Sequence, residues 1–136
     1  MLKEFLKYIL LWILPIVIFA NHVHWLGNYD VAHQVALEEQ KPLLVLVVKK
    51  NKHFSNTVIK NTFMNQKYID KINSEIIAVI VTYEGLLSYP IEMYYTTVFP
   101  TLFLVDSQKE LFLHEPIYGK DIIKENVYEM LKTLDK

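Results

Sequence analysis

Six consecutive apolar residues, Leu43–Val48, constrain the fold of this chain more than any other feature. The run contains only leucine and valine, and it predicts a β-strand buried on both faces, because a half-exposed strand would alternate with polar residues. Such a strand needs partners in the sheet and helices on both sides. Further patterns predict them: helices at Val31–Gln40, 56–73 and Ile122–Leu134, and strands at Ile76–Val81 and Thr101–Val105.

The order of these elements defines the fold class. We expect Asp30 to cap the first helix, Asp106–Lys109 to form a turn, and Leu111–His114 to pair back as a hairpin strand. The segment from Tyr83 to Thr97 reads as an irregular or helical connection. This order predicts a small α/β sandwich, a mixed sheet flanked by helices.

An apolar segment precedes this domain. Lys3 and Lys7 are followed by residues 8–20, which carry no charge. Residues 1–24 are therefore interpreted as a signal peptide or a membrane anchor, and residues 25–136 as the domain. Lysines on the N-terminal side place the domain on the periplasmic or extracytoplasmic side, exported or membrane-anchored. Whether the segment is cleaved after Ala20 stays open.

Composition excludes several functions. With 136 residues the chain fits one domain, and its 14 basic residues nearly cancel 15 acidic ones, so no bulk positive field exists for nucleic acid. The chain contains no cysteine, which excludes disulfides, thiolate nucleophiles and cysteine metal sites. No cofactor is expected.

Several short motifs resemble those of the thioredoxin-like superfamily, in particular an exported branch that reads Cys-His-Trp-Cys at its active site. The resemblance rests on the following motifs: Trp25, Asp30, Ala32, Lys41–Val45, Phe63, Asn73 and Phe99-Pro100-Thr101. The last motif lies where that family has a cis-proline before a strand. The sequence Lys52-His53-Phe54-Ser55 lies where the family has Cys-x-x-Cys, so the resemblance implies the fold without thiol chemistry.

The resemblance also implies a binding surface, since the family binds substrate between its active-site loop and its cis-proline loop. The candidate binding residues are Lys52, His53, Phe54, Ser55, Tyr94, Tyr95, Phe99 and Pro100. Tyrosines suit an interface because they combine an apolar ring with a polar tip. The basic loop around Lys52 reads either as a cradle for an acidic peptide or as a solvated loop.

Three functional hypotheses follow. The first is a redox-inactive protein-binding domain that acts as an accessory, scaffold or chaperone-like subunit of an envelope complex, with its membrane contact through residues 1–24. The second is a glutathione-dependent transferase or peroxidase-like enzyme that uses Ser55 or a tyrosine hydroxyl. The third is a metal carrier based on His22 and His24, although two histidines at a membrane edge are more often interfacial residues.

Overall fold

The computed structural model describes residues 22–50, 53–64, 66–83, 90 and 92–136. The apolar N-terminal segment and most of the connection after Tyr83 lie outside these residues. The strands are β1 (Trp25–Leu26), β2 (Leu43–Val48), β3 (Ile77–Thr82), β4 (Thr101–Val105) and β5 (Ile117–Tyr118). The helices are α1 (Tyr29–Glu39), α2 (His53–Thr62), α3 (Gln66–Glu75) and α4 (Lys124–Lys132), with short 3-10 turns at Gly119–Asp121 and Thr133–Asp135.

The five strands form one mixed sheet in the order β1-β3-β2-β4-β5. Strand β2 lies at the centre of the sheet, as its apolar sequence predicts. It is parallel to β3 and antiparallel to β4. Its first five residues are buried. The predicted α/β sandwich with a mixed sheet is therefore confirmed.

Side chains of β2 alternate between two apolar layers. Leu44 and Leu46 join α2, α3 and α4 on one face of the sheet, where Phe63, Tyr68 and Met130 are also buried. Leu43, Val45 and Val47 join α1 on the other face. A period of two along a strand has this effect, and here both sides are apolar because both faces are covered by helices.

The first helix begins earlier than predicted. Asn28, not Asp30, is the N-cap, and its side-chain oxygen accepts a hydrogen bond from the Val31 amide at 3.1 Å. The helix faces the sheet with Tyr29, Ala32 and Ala36, whereas Val31 is 52% exposed. The predicted cap is therefore wrong, because the helix starts at Tyr29, two residues before the predicted start.

Two further elements differ from the sequence prediction. The helix expected over 56–73 is two helices, α2 and α3, with residues 63–65 between them. The expected hairpin strand Leu111–His114 is reduced to a single bridge between Phe112 and Val105. The strand that pairs with the outer side of β4 is β5. The short strand β1, which pairs with β3, was not predicted.

The domain extends at least to residue 23 on its N-terminal side, since Val23 is buried in the larger apolar layer. Among the described residues no helix is both long enough and apolar enough to span a bilayer. The predicted anchor or signal peptide falls outside the described residues and stays a prediction.

Candidate functional site

The loop before β4 is held by two buried threonines. The Thr96 hydroxyl accepts a hydrogen bond from the Val98 amide at 3.1 Å and lies 2.9 Å from the Thr101 hydroxyl. Thr101 in turn donates to the Val98 carbonyl at 2.5 Å. The Phe99–Pro100 peptide bond in this loop is cis, the isomer expected from the resemblance. The hydrogen bonds give the loop one defined backbone path.

Strand β5 and the glycine after it complete the surface next to this loop. The Gly119 amide donates to the Pro100 carbonyl at 2.8 Å. Gly119 has φ of +52°, and a Cβ at this position would lie 3.1 Å from Cγ1 of Val98. Glycine therefore serves two needs here, a left-handed backbone and close contact with the loop.

A shallow groove of about 340 Å³ runs between the loop and β5, lined by Tyr95, Thr96, Thr97, Val98 and Tyr118. We call this site the loop groove. The three large hydrophobic side chains that line it are exposed to solvent: Tyr95 is 62% exposed, Tyr118 45% and Val98 44%. Exposed aromatic rings beside an ordered backbone form a surface suited to protein contact.

No protein-family model matches the sequence, and no curated protein matches it. Solved structures do match the architecture. The structure described as "DsbH Oxidoreductase" has a TM-score of 0.65 at 13% identity, covering 85% of this chain and 87% of its own. A thioredoxin from Thermus thermophilus has a TM-score of 0.66 at 10% identity, with 84% and 88% covered. The germline-specific thioredoxin Deadhead from Drosophila melanogaster has 0.57 at 12%, with 82% and 99% covered.

The chain has a thioredoxin-like fold. At these identities the likeness establishes the fold alone, and the chemistry must be taken from the residues present. The chain has no cysteine, so this thioredoxin-like domain has no thiol with which to attack or resolve a disulfide.

Phe99 and Pro100 lie in this thioredoxin-like domain as the sequence predicts, next to the start of β4. Pro100 is buried, and Phe99 is half-buried. The Phe99 ring packs edge-on against Tyr83 at 5.1 Å between centroids, and the Lys49 ammonium lies 5.7 Å from its centre. Phe99 therefore connects the loop to the start of the basic segment that follows β2.

Tyr94 does not belong to the surface. It is fully buried in the layer under α1, where its hydroxyl lies 2.8 Å from the Tyr29 hydroxyl. Burial raises the pKa of Tyr94, and the Tyr29 hydroxyl adds to that shift by hydrogen bonding. Tyr94 is therefore a core residue, and of the two adjacent tyrosines only Tyr95 faces solvent.

Three of the four remaining predicted residues lie at the start of α2. His53, Phe54 and Ser55 form its first turn. Lys52 lies outside the described residues. A contribution of these four side chains to binding stays a prediction.

Two residues that line the loop groove were not predicted from the sequence: Val98 in the loop itself, and Tyr118, which faces the loop from β5. The sequence does mark the ends of β5, because Pro116 precedes it and Gly119 follows it. The strand that pairs with β4 was nevertheless predicted at Leu111–His114. The pairing of Thr101 with Tyr118 brings that tyrosine to the loop. The position of Tyr118 beside the loop could be predicted only from the register between β4 and β5.

Proposed function

We propose that this chain is a redox-inactive thioredoxin-like domain that binds a protein segment in the loop groove. The observation that carries the proposal is the open apolar surface formed by Tyr95, Val98 and Tyr118, in a fold that has no thiol. A contiguous exposed apolar surface costs solubility unless a partner covers it. The domain would act as an accessory, scaffold or chaperone-like subunit.

The groove suits an extended peptide with apolar side chains. Two tyrosine rings can contact such side chains with little loss of rotamer entropy, and the phenol groups can donate hydrogen bonds to a peptide backbone. The loop backbone is held by Thr96 and Thr101, so little ordering is needed on binding. The Lys49 ammonium, 5.7 Å from the centre of the Phe99 ring, places a positive charge beside the loop.

The location is part of the proposal. The lysines at 3 and 7 and the uncharged residues 8–20 support export or anchoring, with the groove on the extracytoplasmic side. An alkaline phosphatase fusion at the C-terminus should then be active. An inactive fusion, together with an active cytoplasmic reporter at the same point, would reject this topology.

Photo-crosslinking tests the groove directly. A photoreactive amino acid at position 95 should crosslink one discrete protein in intact envelopes, whereas the same probe at Tyr128 should not. Tyr128 is a matched control, because it is 46% exposed but lies on α4. Identical crosslinks from both positions would show that the groove is not the interface.

Substitutions measure the energy of the contact. Once the crosslinked partner is identified, Tyr95→Ala should weaken its binding by about 1–2 kcal/mol or more, as expected for an aromatic anchor. Lys50→Ala should mainly slow association at low salt, because Lys50 is a solvent-exposed charge. Binding that is unchanged in Tyr95→Ala would overturn the proposal.

A further inference from the structure

Two histidines lie side by side in the segment that leads into β1. His22 and His24 are both exposed, while Val23 between them is 2% exposed in the larger apolar layer. The Trp25 amide donates to the Val23 carbonyl at 3.0 Å, which closes a tight turn centred on His24. The two imidazole rings approach to 5.6 Å between centroids.

One side chain of α3 fixes the backbone of this pair. The Asn73 amide group donates to the His22 carbonyl at 2.8 Å, and the Asn73 side-chain oxygen accepts from the His24 amide at 2.9 Å. These two bonds and the buried Val23 hold the segment before any ligand arrives. The entropy that a ligand must overcome to order the two rings is reduced accordingly.

The separation of the rings fits a shared metal ion. Two imidazoles that bind one tetrahedral Zn²⁺ through nitrogens at ~2.1 Å place their ring centroids ~5 Å apart. The observed separation is 5.6 Å, with the two ring planes at 76°, so the rings are near enough to share an ion once side-chain rotation turns one nitrogen of each towards it. Neutral imidazole is also a preferred ligand of this ion.

The other described histidines differ from this pair. His33 Nε2 lies 2.8 Å from the Ser107 carbonyl, and His114 Nδ1 lies 2.8 Å from the Glu115 carbonyl. Within the described ranges no residue hydrogen-bonds the rings of His22 or His24. Their nitrogens are therefore available to a ligand.

We propose that His22 and His24 form an exchangeable Zn²⁺-binding site. Among the described residues no three histidine, cysteine or acidic side chains are placed to hold one ion, so this part of the chain supplies His22 and His24 as two ligands. Water or a group from another molecule would complete the coordination. Open positions allow the ion to be passed on, which suits binding and transfer rather than a permanent structural role. This site is independent of the loop groove.

Zn²⁺ titration of the full chain in detergent micelles, followed by calorimetry, tests the proposal. We expect saturable binding that is weakened about tenfold or more by either His22→Ala or His24→Ala, since each leaves a single imidazole. His114→Ala is the matched control and should bind Zn²⁺ as the unmodified chain does. Because both histidines are exposed, the variants should retain the circular dichroism spectrum of the unmodified chain.

Asn73→Ala separates the fixed geometry from the ligands. It should weaken Zn²⁺ binding by up to about tenfold, the equivalent of one to two hydrogen bonds, without abolishing it. The absence of saturable binding to the full chain would overturn the proposal. Binding that survives His22→Ala and His24→Ala unchanged would place the ion elsewhere and overturn it equally.

Discussion

At the scale of single residues, the adjacent tyrosines Tyr94 and Tyr95 have opposite environments. Tyr94 is buried, with its ring edge-on to Phe103 at 5.2 Å, while Tyr95 is 62% exposed. The sequence alone could not separate them, because the connection before β4 has neither the period of a helix nor that of a strand. The Tyr29 hydroxyl, which is the hydrogen-bond partner of the buried Tyr94 hydroxyl, is 65 residues away in the chain.

The hydroxyl pair predicts a measurable loss of stability. Tyr94→Phe removes one hydroxyl and leaves the buried Tyr29 hydroxyl without its partner, so it should lower the free energy of unfolding by about 1–2 kcal/mol. Denaturant unfolding measures this loss. The double change Tyr29→Phe with Tyr94→Phe should cost less than the sum of the two single changes. Strict additivity would show that the two hydroxyls do not interact.

A third tyrosine predicts sensitivity to alkali. Tyr68 is buried and its hydroxyl donates to the Thr62 carbonyl; burial, with a smaller effect of the Glu125 charge, raises its pKa from 10.0 to about 12. The folded state therefore holds this proton where the unfolded state releases it. The contribution of Tyr68 to stability should be constant below pH 10 and should be lost as the pH rises from 10 to 12.

Thermal unfolding across this pH range checks the direction. Tyr68→Phe should be less steeply destabilised by alkali than the unmodified chain, although Tyr29 and Tyr94, whose pKa values are also raised by burial, still contribute. Equal slopes for the two proteins would contradict the assignment to Tyr68.

At the scale of elements, the ends of the helices were harder to predict than their existence. Asn28 and Asp30 are both good N-cap residues, and only the backbone shows that Asn28 holds the extended cap conformation. Residues 56–73 contain apolar residues near helical spacing throughout, so the end of α2 at Thr62 leaves no clear mark in the sequence pattern. The packing of α2 and α3 against the rest of the domain, which the local sequence pattern does not contain, determines where each helix ends.

The cap predicts a difference between two neighbouring substitutions. Asn28→Ala removes the hydrogen bond to the Val31 amide and should cost about 1 kcal/mol of stability. Asp30→Ala removes only a charge in the first turn and should cost about 0.3–1 kcal/mol, less at high salt. Paired denaturation curves at two salt concentrations compare them. A larger loss of stability for Asp30→Ala than for Asn28→Ala would show that Asp30 is the N-cap, as the sequence pattern predicted.

At the scale of the whole molecule, the sequence predicted the central strand, the mixed sheet and both helical layers. It did so because uninterrupted apolar runs such as Leu43–Val48 have few alternatives in a domain of this size. Of the residues that line the loop groove, the sequence singled out only Tyr95, on its loop side. Its β5 side depends on a strand of two residues, which is too short to leave a periodic pattern.

The sheet predicts an ordered pattern of amide exchange. Amides of β2 lie between six residues of β3 and five of β4, so they should exchange only through global unfolding. Amides of β1 and β5 lie in two-residue edge strands and should exchange through local opening. Hydrogen exchange followed by mass spectrometry measures both. Equal protection of β1 and β2 would contradict this hierarchy.

The brevity of the two outer strands also bears on aggregation. An edge strand presents unpaired amide and carbonyl groups to which another chain can add, and the hazard grows with the length of the edge. Here each outer strand has two residues, Trp25–Leu26 on one side and Ile117–Tyr118 on the other. Another chain that adds to β1 or β5 would therefore find little backbone on which to build an intermolecular sheet.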